Sequence, residues 1–231
     1  MTRSIFSPIA QHEPKSHVTE AYRTLKTNIQ YAAVDRPVRS LLITSAGPGE
    51  GKSLTAANLA VVMAQGGKKT LLVDCDLRKP MQHRLFGQRN VKGLTTLLVH
   101  GGDLVSVTNN LMVPQLSLVT SGPIPPNPAE LLGSQAMQPL LEELKSGYDS
   151  VIIDAPPLIA VTDAAILAPL VDGVLLVIDA GRNRVDMVQE AKAILQNASA
   201  RIIGCVLNGV RRKAKDYHYY YYYEEKSGFD D

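Results

Sequence analysis

Short runs of apolar residues recur along the chain, separated by longer stretches of mixed polar and apolar residues. Continuous runs of this kind are typical of strands in a parallel sheet, because helices cover both faces of such a sheet. The runs therefore predict strands over residues 41–43, 70–73, 116–120, 150–153, 174–178 and 201–207.

Helical patterns lie between these predicted strands. They cover residues 19–34, 54–64, 129–144 and 185–196, with Thr19 as an N-cap and breaks near Gly133 and Pro139. Residues 87–115 are weakly patterned and predict short helices with loops, and the proline-rich residues 121–128 predict a rigid loop. Strands that alternate with helices predict an α/β fold: a doubly wound, mostly parallel sheet with helices on both faces.

Length and composition indicate how the chain is divided into a domain and two flanking segments. The 231 residues suit one α/β domain over residues 19–210, with a loose polar arm at 1–18 and a flexible tyrosine-rich tail at 211–231. A net charge of +2 gives no indication of a nucleic-acid partner. No stretch has the length of a membrane span or the character of a signal peptide, so we expect any membrane association to need a partner.

The two cysteines, Cys75 and Cys205, both lie in apolar runs. Free cysteines are among the most buried residue types, and disulfides are rare in the cytosol. We expect both to be reduced core residues of a cytoplasmic protein.

A glycine-rich turn, AGPGEGKS, follows the first predicted strand and precedes a predicted helix. Glycines leave room for backbone N–H groups to wrap phosphate oxygens, and the helix directs its positive dipole end at the same anion. The strict pattern begins with Gly, where this chain has Ala46, a common variant. Lys52 would reach the terminal phosphates and the Ser53 hydroxyl would bind Mg²⁺. The predicted nucleotide-binding residues of this segment are Gly47, Pro48, Gly49, Glu50, Gly51, Lys52, Ser53 and Leu54.

Carboxylates follow two of the other predicted strands. Asp74 and Asp76 end the second strand, and Asp154 ends the strand over residues 150–153. The carboxyl ends of parallel strands meet at one edge of the sheet, where ligands bind. Carboxylates beside a triphosphate can organise Mg²⁺ or accept a proton from a hydroxyl. We predict Lys52, Asp74, Asp76 and Asp154 as catalytic residues and Ser53, Asp74 and Asp154 as the metal site.

The last predicted strand ends at Asn208, where a nucleotide base could lie. The chain lacks the NKxD sequence that reads guanine, so ATP is favoured over GTP.

Two further features lie outside this edge. Glu20, Arg23 and Lys26 recur every three residues on the first long helix, a spacing that by itself indicates a solvated face with intrahelical ion pairs. The tail holds Tyr217 and the run of tyrosines at 219–223, followed by two glutamates. In a protein that binds ATP, such a cluster favours phosphorylation of Tyr217, Tyr219, Tyr220, Tyr221, Tyr222 and Tyr223.

The chain contains the motifs AGPGEGKS, LLVDCDLRKP, VIIDAPP and SGPIPPNPAELL and a tyrosine-rich tail. In these features it resembles the cytoplasmic tyrosine kinases of bacterial capsule and exopolysaccharide synthesis. The resemblance runs from about Glu20 to Tyr223. It implies a MinD/ParA-like P-loop fold, ATP and Mg²⁺, and autophosphorylation of tail tyrosines in trans within a ring homo-oligomer. It also implies a transmembrane activator of the polysaccharide co-polymerase type, which recruits the kinase to the inner face of the membrane, and a tyrosine phosphatase.

In that family, an acid and two arginines at three-residue spacing build the ring. The resemblance therefore makes Glu20, Arg23 and Lys26 an oligomer interface rather than a solvated face. Lysine at position 26 lacks the bidentate fork of arginine, which would weaken the ring without changing its geometry.

Two alternatives from other classes remain open. One is a MinD- or ParA-type ATPase switch that modifies no protein. Those proteins usually carry a second lysine near the start of the loop, where this chain has Gly47. The other is a scaffold for polysaccharide assembly that binds ATP without catalysis, and the three intact carboxylates argue against it.

Overall fold

In the computed structural model, which describes residues 7–210, seven strands form one sheet. The strands are β1 (Ser40–Ser45), β2 (Thr70–Asp74), β3 (Thr108–Asn110), β4 (Leu116–Val119), β5 (Ser150–Asp154), β6 (Gly173–Asp179) and β7 (Ile202–Asn208). Their order across the sheet is β3-β4-β2-β5-β1-β6-β7, and only the pair β3–β4 is antiparallel. The predicted mostly parallel sheet is confirmed.

Nine α-helices of this region cover the two faces of the sheet. They are α1 (Ile9–His12), α2 (His17–Ala32), α3 (Lys52–Gln65), α4 (Gln82–Leu85), α5 (Leu94–His100), α6 (Pro128–Leu132), α7 (Met137–Gly147), α8 (Asp163–Leu167) and α9 (Val185–Asn197). Helices α1 to α4 contribute to one buried apolar cluster and α5 to α9 to the other. The protein is therefore doubly wound, as the alternation of strands and helices predicts.

Strand β1 shows why the apolar runs are continuous. Leu41 and Ile43 lie in the cluster beneath α3, whereas Leu42 between them lies in the cluster on the opposite face. All three are at most 2% exposed. A strand that is covered on both faces needs an apolar side chain at every position.

The register of β1, β2 and β5 aligns the ends of these strands at the carboxyl edge of the sheet. Asp74 at the end of β2 is directly paired with Asp154 at the end of β5, and Asp154 is paired with Ile43 of β1. The loop after β1 and the acids after β2 and β5 therefore meet at one place.

The N-terminal segment differs from the loose arm that its composition predicts. Residues 9–12 form α1, whose Ala10 is fully buried and donates its backbone N–H to Asn58 of α3 at 2.9 Å. Helix α2 begins at His17 with Ser16 as its N-cap, because the Ser16 side chain accepts a hydrogen bond from the Thr19 backbone N–H. Thr19 is therefore inside the helix, and its prediction as the N-cap is wrong.

Three local expectations also differ from the structure. The predicted break near Gly133 is confirmed, because residues 133–136 separate α6 from α7, but Pro139 lies in the first turn of α7 without breaking it. Strand β3 lies in the region 87–115, where loops and short helices were expected. Cys75 is buried as predicted, but Cys205 is exposed because it lies on the edge strand β7.

Within residues 7–210, no helix is both long enough and apolar enough to cross a membrane.

Candidate nucleotide site

The glycine-rich turn forms a tight loop between β1 and α3. Gly49 and Gly51 have φ values of 80° and 88°, a region that side-chain-bearing residues rarely adopt. A Cβ on Gly51 would also lie 2.6 Å from the amide nitrogen of Asn208. Only glycine fits position 51, and Lys52 follows it as the first residue of α3.

Lys52 occupies the centre of the predicted site. Its ammonium lies 2.7 Å from a carboxylate oxygen of Asp76, 3.3 Å from Asp154 and 3.1 Å from the Ser53 hydroxyl. The Lys52 side chain is only 11% exposed. Burial would lower the pKa of Lys52, but the neighbouring charges of Asp154 and Asp76 hold it above its ordinary value. The Lys52 side chain is therefore protonated and positively charged while it contacts these carboxylates.

Asp74 has a different environment, although it lies next to Asp154 in the sheet. It is fully buried, and its carboxylate oxygens accept hydrogen bonds from the backbone N–H groups of Asp76 at 3.2 Å, Met81 at 3.0 Å and Gln82 at 2.9 Å. Burial and the charge of Asp154 raise its pKa well above the usual range. The Asp74 carboxyl thus fixes the path of the chain between Asp76 and α4.

Gln82, the first residue of α4, is a site residue that the sequence did not reveal. Its side-chain amide donates to Asp154 at 2.8 Å and to the backbone oxygen of Ser53 at 3.0 Å. It is fully buried, and among residues 7–210 its own amide oxygen has no hydrogen-bond partner. Gln82 therefore ties the acid of β5 to the start of α3.

Glu50 belongs to the phosphate loop but turns its side chain back into the protein. It is 5% exposed, and its Oε1 accepts hydrogen bonds from the Gly47 backbone N–H and from the Asn183 side chain at 2.6 Å. Asn183 follows β6 and was also missed in the sequence. Its only signal is a polar side chain shortly after the carboxyl end of a buried strand.

Asn208 supports the loop from the other side. Its amide donates to the Glu50 backbone oxygen at 2.9 Å and to the Thr55 hydroxyl at 3.2 Å. The loop is thus held between the ends of β6 and β7. The prediction that Asn208 lies beside a nucleotide base stays a prediction.

The remaining loop residues lie at its surface. Pro48 and Gly49 are exposed, as is Leu54, at 42%. A bidentate pair between Arg78 and the buried Asp163, with both distances 2.9 Å, flanks the site and connects the loop after β2 to α8.

The other predicted site residues are not part of this edge. Glu20 and Arg23 form an ion pair on α2, with 52% and 40% of their side chains exposed. The ammonium of Lys26 instead points towards the end of α3, where a Cβ on Gly66 would lie 2.8 Å from it. Tyr217 and the tyrosines at 219–223 lie outside the described residues.

The site suits a magnesium nucleotide. It offers a glycine loop at a helix N-terminus, a buried ammonium, and carboxylate and hydroxyl oxygens, which are hard ligands of the kind that Mg²⁺ prefers. Among residues 7–210, no group of three or more His, Cys, Asp or Glu side chains could hold a metal ion by itself. Mg²⁺ here would therefore be shared between protein oxygens, water and nucleotide phosphates.

Replacing Asn183 with alanine tests the support of the loop. The change removes a hydrogen bond to a buried carboxylate, so we expect the Kd for a non-hydrolysable ATP analogue to rise about tenfold. Isothermal titration calorimetry measures it. Asn197→Ala, at the exposed end of α9, is the matched control and should bind like the parent. Equal affinities of the two variants would mean that the Glu50–Asn183 contact does not order the loop for nucleotide.

Known proteins resemble this chain over most of its length. A family model described as the CobQ/CobB/MinD/ParA nucleotide binding domain matches residues 41–228. The tyrosine-protein kinase YwqD of Bacillus subtilis is 49% identical over 87% of this chain and 85% of its own. The putative tyrosine-protein kinase CapB of Staphylococcus aureus is 40% identical over 89% of this chain and 91% of its own.

Among solved structures, the kinase domain of the Escherichia coli tyrosine kinase ETK superposes with a TM-score of 0.86. It is 37% identical, and the match covers 89% of this chain and 81% of that one. The range matched by the family model includes the phosphate loop and all three acids. The chain therefore belongs to the bacterial tyrosine-protein kinases of capsule and exopolysaccharide synthesis, whose nucleotide-binding domain is MinD/ParA-like.

Proposed function

We propose that this protein is an ATP-dependent tyrosine autokinase that phosphorylates the tail tyrosines of a neighbouring subunit in a ring. The acceptors are Tyr217 and the tyrosines at 219–223. The observation that carries the proposal is the position of the Lys52 ammonium, held at the end of the phosphate loop between Asp76 and Asp154. This arrangement provides a cation for the phosphates and, next to it, a carboxylate for the acceptor.

ATP would lie along the loop, with its phosphates at the start of α3. Lys52 would exchange its carboxylate partners for phosphate oxygens, because both are anionic and the ammonium has three donors. Mg²⁺, when bound, neutralises the charge that develops on the phosphates. Ser53, Asp74 and Asp154 would hold it, and Asp74 also fixes the chain that carries Asp76.

Asp76 is the group that we assign to the acceptor. Its Oδ1 accepts the Lys79 backbone N–H at 2.9 Å, which orients the carboxylate, and its Oδ2 contacts Lys52. A free tyrosine has a pKa of about 10, so it keeps its proton at neutral pH. When Lys52 moves to the phosphates, Oδ2 is freed to accept the proton of an incoming tyrosine hydroxyl.

The length of the tail suits transfer between subunits. From Asn208, at the carboxyl edge of the sheet, Tyr219 is about eleven residues away, which spans at most roughly 35–40 Å. That distance reaches a neighbour's site, while a return to the chain's own site requires a tight reversal. Several acceptors on one tail also raise their local concentration, so no single tyrosine need be essential.

The ring and the membrane context belong to the same proposal. A face that meets a different face of the next subunit closes into a ring or continues as a filament. The exposed ion pair of Glu20 and Arg23 on α2 is the candidate contact. A transmembrane activator would recruit the kinase to the inner face of the membrane, and a tyrosine phosphatase would reset the tail.

The role of Asp76 is tested by Asp76→Ala. The variant should bind ATP within a few-fold of the parent, because the loop and Lys52 remain, but lose autokinase activity by about 10²–10⁴-fold. Isothermal titration calorimetry with a non-hydrolysable ATP analogue measures the binding. Incubation with labelled ATP, followed by detection of phosphotyrosine and of free phosphate, measures the activity. Asp35→Ala, an exposed acid before β1, is the control. An Asp76→Ala protein with full autokinase activity would rule out the assignment. Free phosphate without phosphotyrosine in the parent would indicate an ATPase switch, and neither product would indicate a scaffold.

Transfer in trans is tested by mixing two partners, neither of which can phosphorylate its own tail. One partner is Lys52→Met with an intact tail, and the other is an active chain that ends after Lys215. We expect phosphotyrosine on the Lys52→Met partner, because its tail can enter the active subunit. Asp76→Asn serves as a second inactive acceptor, since removing the buried Lys52 cation leaves its carboxylates unpaired. The absence of phosphotyrosine on both acceptors, at concentrations that allow assembly, would mean that transfer is not in trans.

The ring contact is tested by changing Glu20 and Arg23 together to alanine. Assembly should be lost, giving monomers by light scattering, and assembly of the parent should weaken as salt is raised. The matched control is Glu142→Ala with Lys145→Ala, which removes an ion pair of the same spacing from α7. If the Glu20 and Arg23 variant scatters like the parent, this ion pair belongs only to a solvated face.

A further inference from the structure

A stretch without carboxylates follows the catalytic acids. From position 77 to position 102 the sequence has no Asp or Glu, yet it has five Lys or Arg residues. All five are exposed: Arg78, Lys79, Arg84, Arg89 and Lys92. Arg78 is paired with Asp163, whereas no ion pair joins the other four to any residue within 7–210. We call Lys79, Arg84, Arg89 and Lys92 the cationic strip.

The contacts of this stretch place the cationic strip along the carboxyl edge of the sheet. At one end, the Lys79 backbone N–H donates to Asp76 at 2.9 Å. At the other end, the Asn90 side chain donates to the backbone oxygen of Gly122 at 2.9 Å, and the Leu94 N–H donates to that of Thr120 at 2.8 Å. Thr120 follows β4, so the strip runs from the catalytic edge of β2 outward past β4.

The nucleotide components lie on the opposite side of Asp76. The phosphate loop follows β1, and its supports Asn183 and Asn208 follow β6 and β7. In the strand order, β2 and β4 lie on one side of β5, and β1, β6 and β7 on the other. The site can therefore receive ATP from one side while the side with the cationic strip remains open for the acceptor.

The tail of this protein has the complementary chemistry. Residues 216–225 contain six tyrosines, three carboxylates and no Lys or Arg. On the strip, the side chain of Val91, between Arg89 and Lys92, is 71% exposed and offers an apolar contact for an aromatic ring. From the charge of the strip and the composition of the tail, we infer that the cationic strip binds the acidic tyrosine segment 216–225 of a second copy of this chain and presents it to Asp76.

A second copy suits the strip better than the chain's own tail. The tail begins after β7, and β4 lies five strand positions away from β7 across the sheet. At about 4.8 Å between strands, this is roughly 24 Å, and the direct path crosses the nucleotide side of the site. A neighbour's tail can approach from the β4 side without crossing it.

The inference rests on the proposed kinase function, and the experiment separates the two. The enzyme is the full chain with its six tail tyrosines changed to phenylalanine, and the acceptor is a synthetic peptide of residues 216–225. In this background, Arg84→Glu with Arg89→Glu should raise the KM for the peptide about tenfold, because two attractive charges become repulsive. The kcat and the KM for ATP should not change, since neither residue contacts the nucleotide side.

The matched control reverses two exposed cations elsewhere, with Arg36→Glu before β1 and Lys192→Glu on α9. It has the same net charge as the strip variant and should keep the parent KM. A second peptide, in which Asp216, Glu224 and Glu225 are replaced by lysine, should reverse the order of the two enzymes in their activity on the peptide. The parent should phosphorylate it poorly, and the strip variant should phosphorylate it better than the parent does. Raising salt from about 0.05 M to about 0.3 M should increase the parent's KM for the natural peptide.

Three results would overturn the inference. Equal peptide KM values for the strip variant and the control would show that the strip does not dock the acceptor. Loss of binding to phosphatidylserine vesicles with an unchanged peptide KM would assign the strip to an anionic membrane surface instead. If the parent enzyme forms no phosphotyrosine on either peptide, and the natural chain forms none on its own tail, while both bind ATP, the kinase proposal itself fails and the strip has no acceptor to dock.

Discussion

The candidate site depends on one buried cation, the ammonium of Lys52. Three buried carboxylates, those of Asp74, Asp76 and Asp154, converge at the ends of β2 and β5. Neighbouring negative charges disfavour the ionisation of a buried carboxyl group. Burial, together with the charge of Asp154, raises the pKa of Asp74 well above its usual range. Lys52 offsets these negative charges by contacting Asp76 and Asp154, and it can do so only because the loop after β1 delivers it to the same edge. The loop and the acids therefore depend on each other.

This interaction serves the chemistry of the site more than the stability of the fold. Buried ion pairs often repay little more than the desolvation of their own charges, so the two apolar clusters on either face of the sheet must supply the stability. What the ion pairs provide is a defined resting position for Lys52. Any anionic ligand on the phosphate loop must compete with Asp76 and Asp154 for this ammonium, which couples the arrival of nucleotide to the release of a carboxylate.

The regular part of the fold follows from local sequence. Continuous apolar runs identify buried strands because a covered sheet needs an apolar side chain at each position, as Leu41, Leu42 and Ile43 show. The glycine loop with Lys52 and the acids at strand ends also follow, because their spacing along the chain is set by the strand and the turn. The structure brings Lys52, Asp76 and Asp154 together as that spacing predicts.

The parts that the sequence does not reveal depend on contacts between distant segments. Gln82 reaches Asp154 across 72 positions and Asn183 reaches Glu50 across 133, and neither belongs to a motif. Polar composition predicts a loose arm, yet Pro8 and Ala10 are buried, and Ala10 attaches the segment to α3 through Asn58. The apolar neighbours of Cys205 predict a core position, but whether a strand lies at the edge of a sheet is a property of the whole topology.

The contrast between the two cysteines has a practical use. Cys75 lies between Asp74 and Asp76, and burial together with the charge of Asp74 raises the pKa of its thiol well above the usual range. A thiol that stays protonated reacts slowly with electrophiles. Cys205 is exposed on the edge strand, three positions before Asn208. The natural chain therefore carries its own selective attachment point for a fluorescent or spin reporter, close to the place where a nucleotide base is expected, and no engineered cysteine is needed.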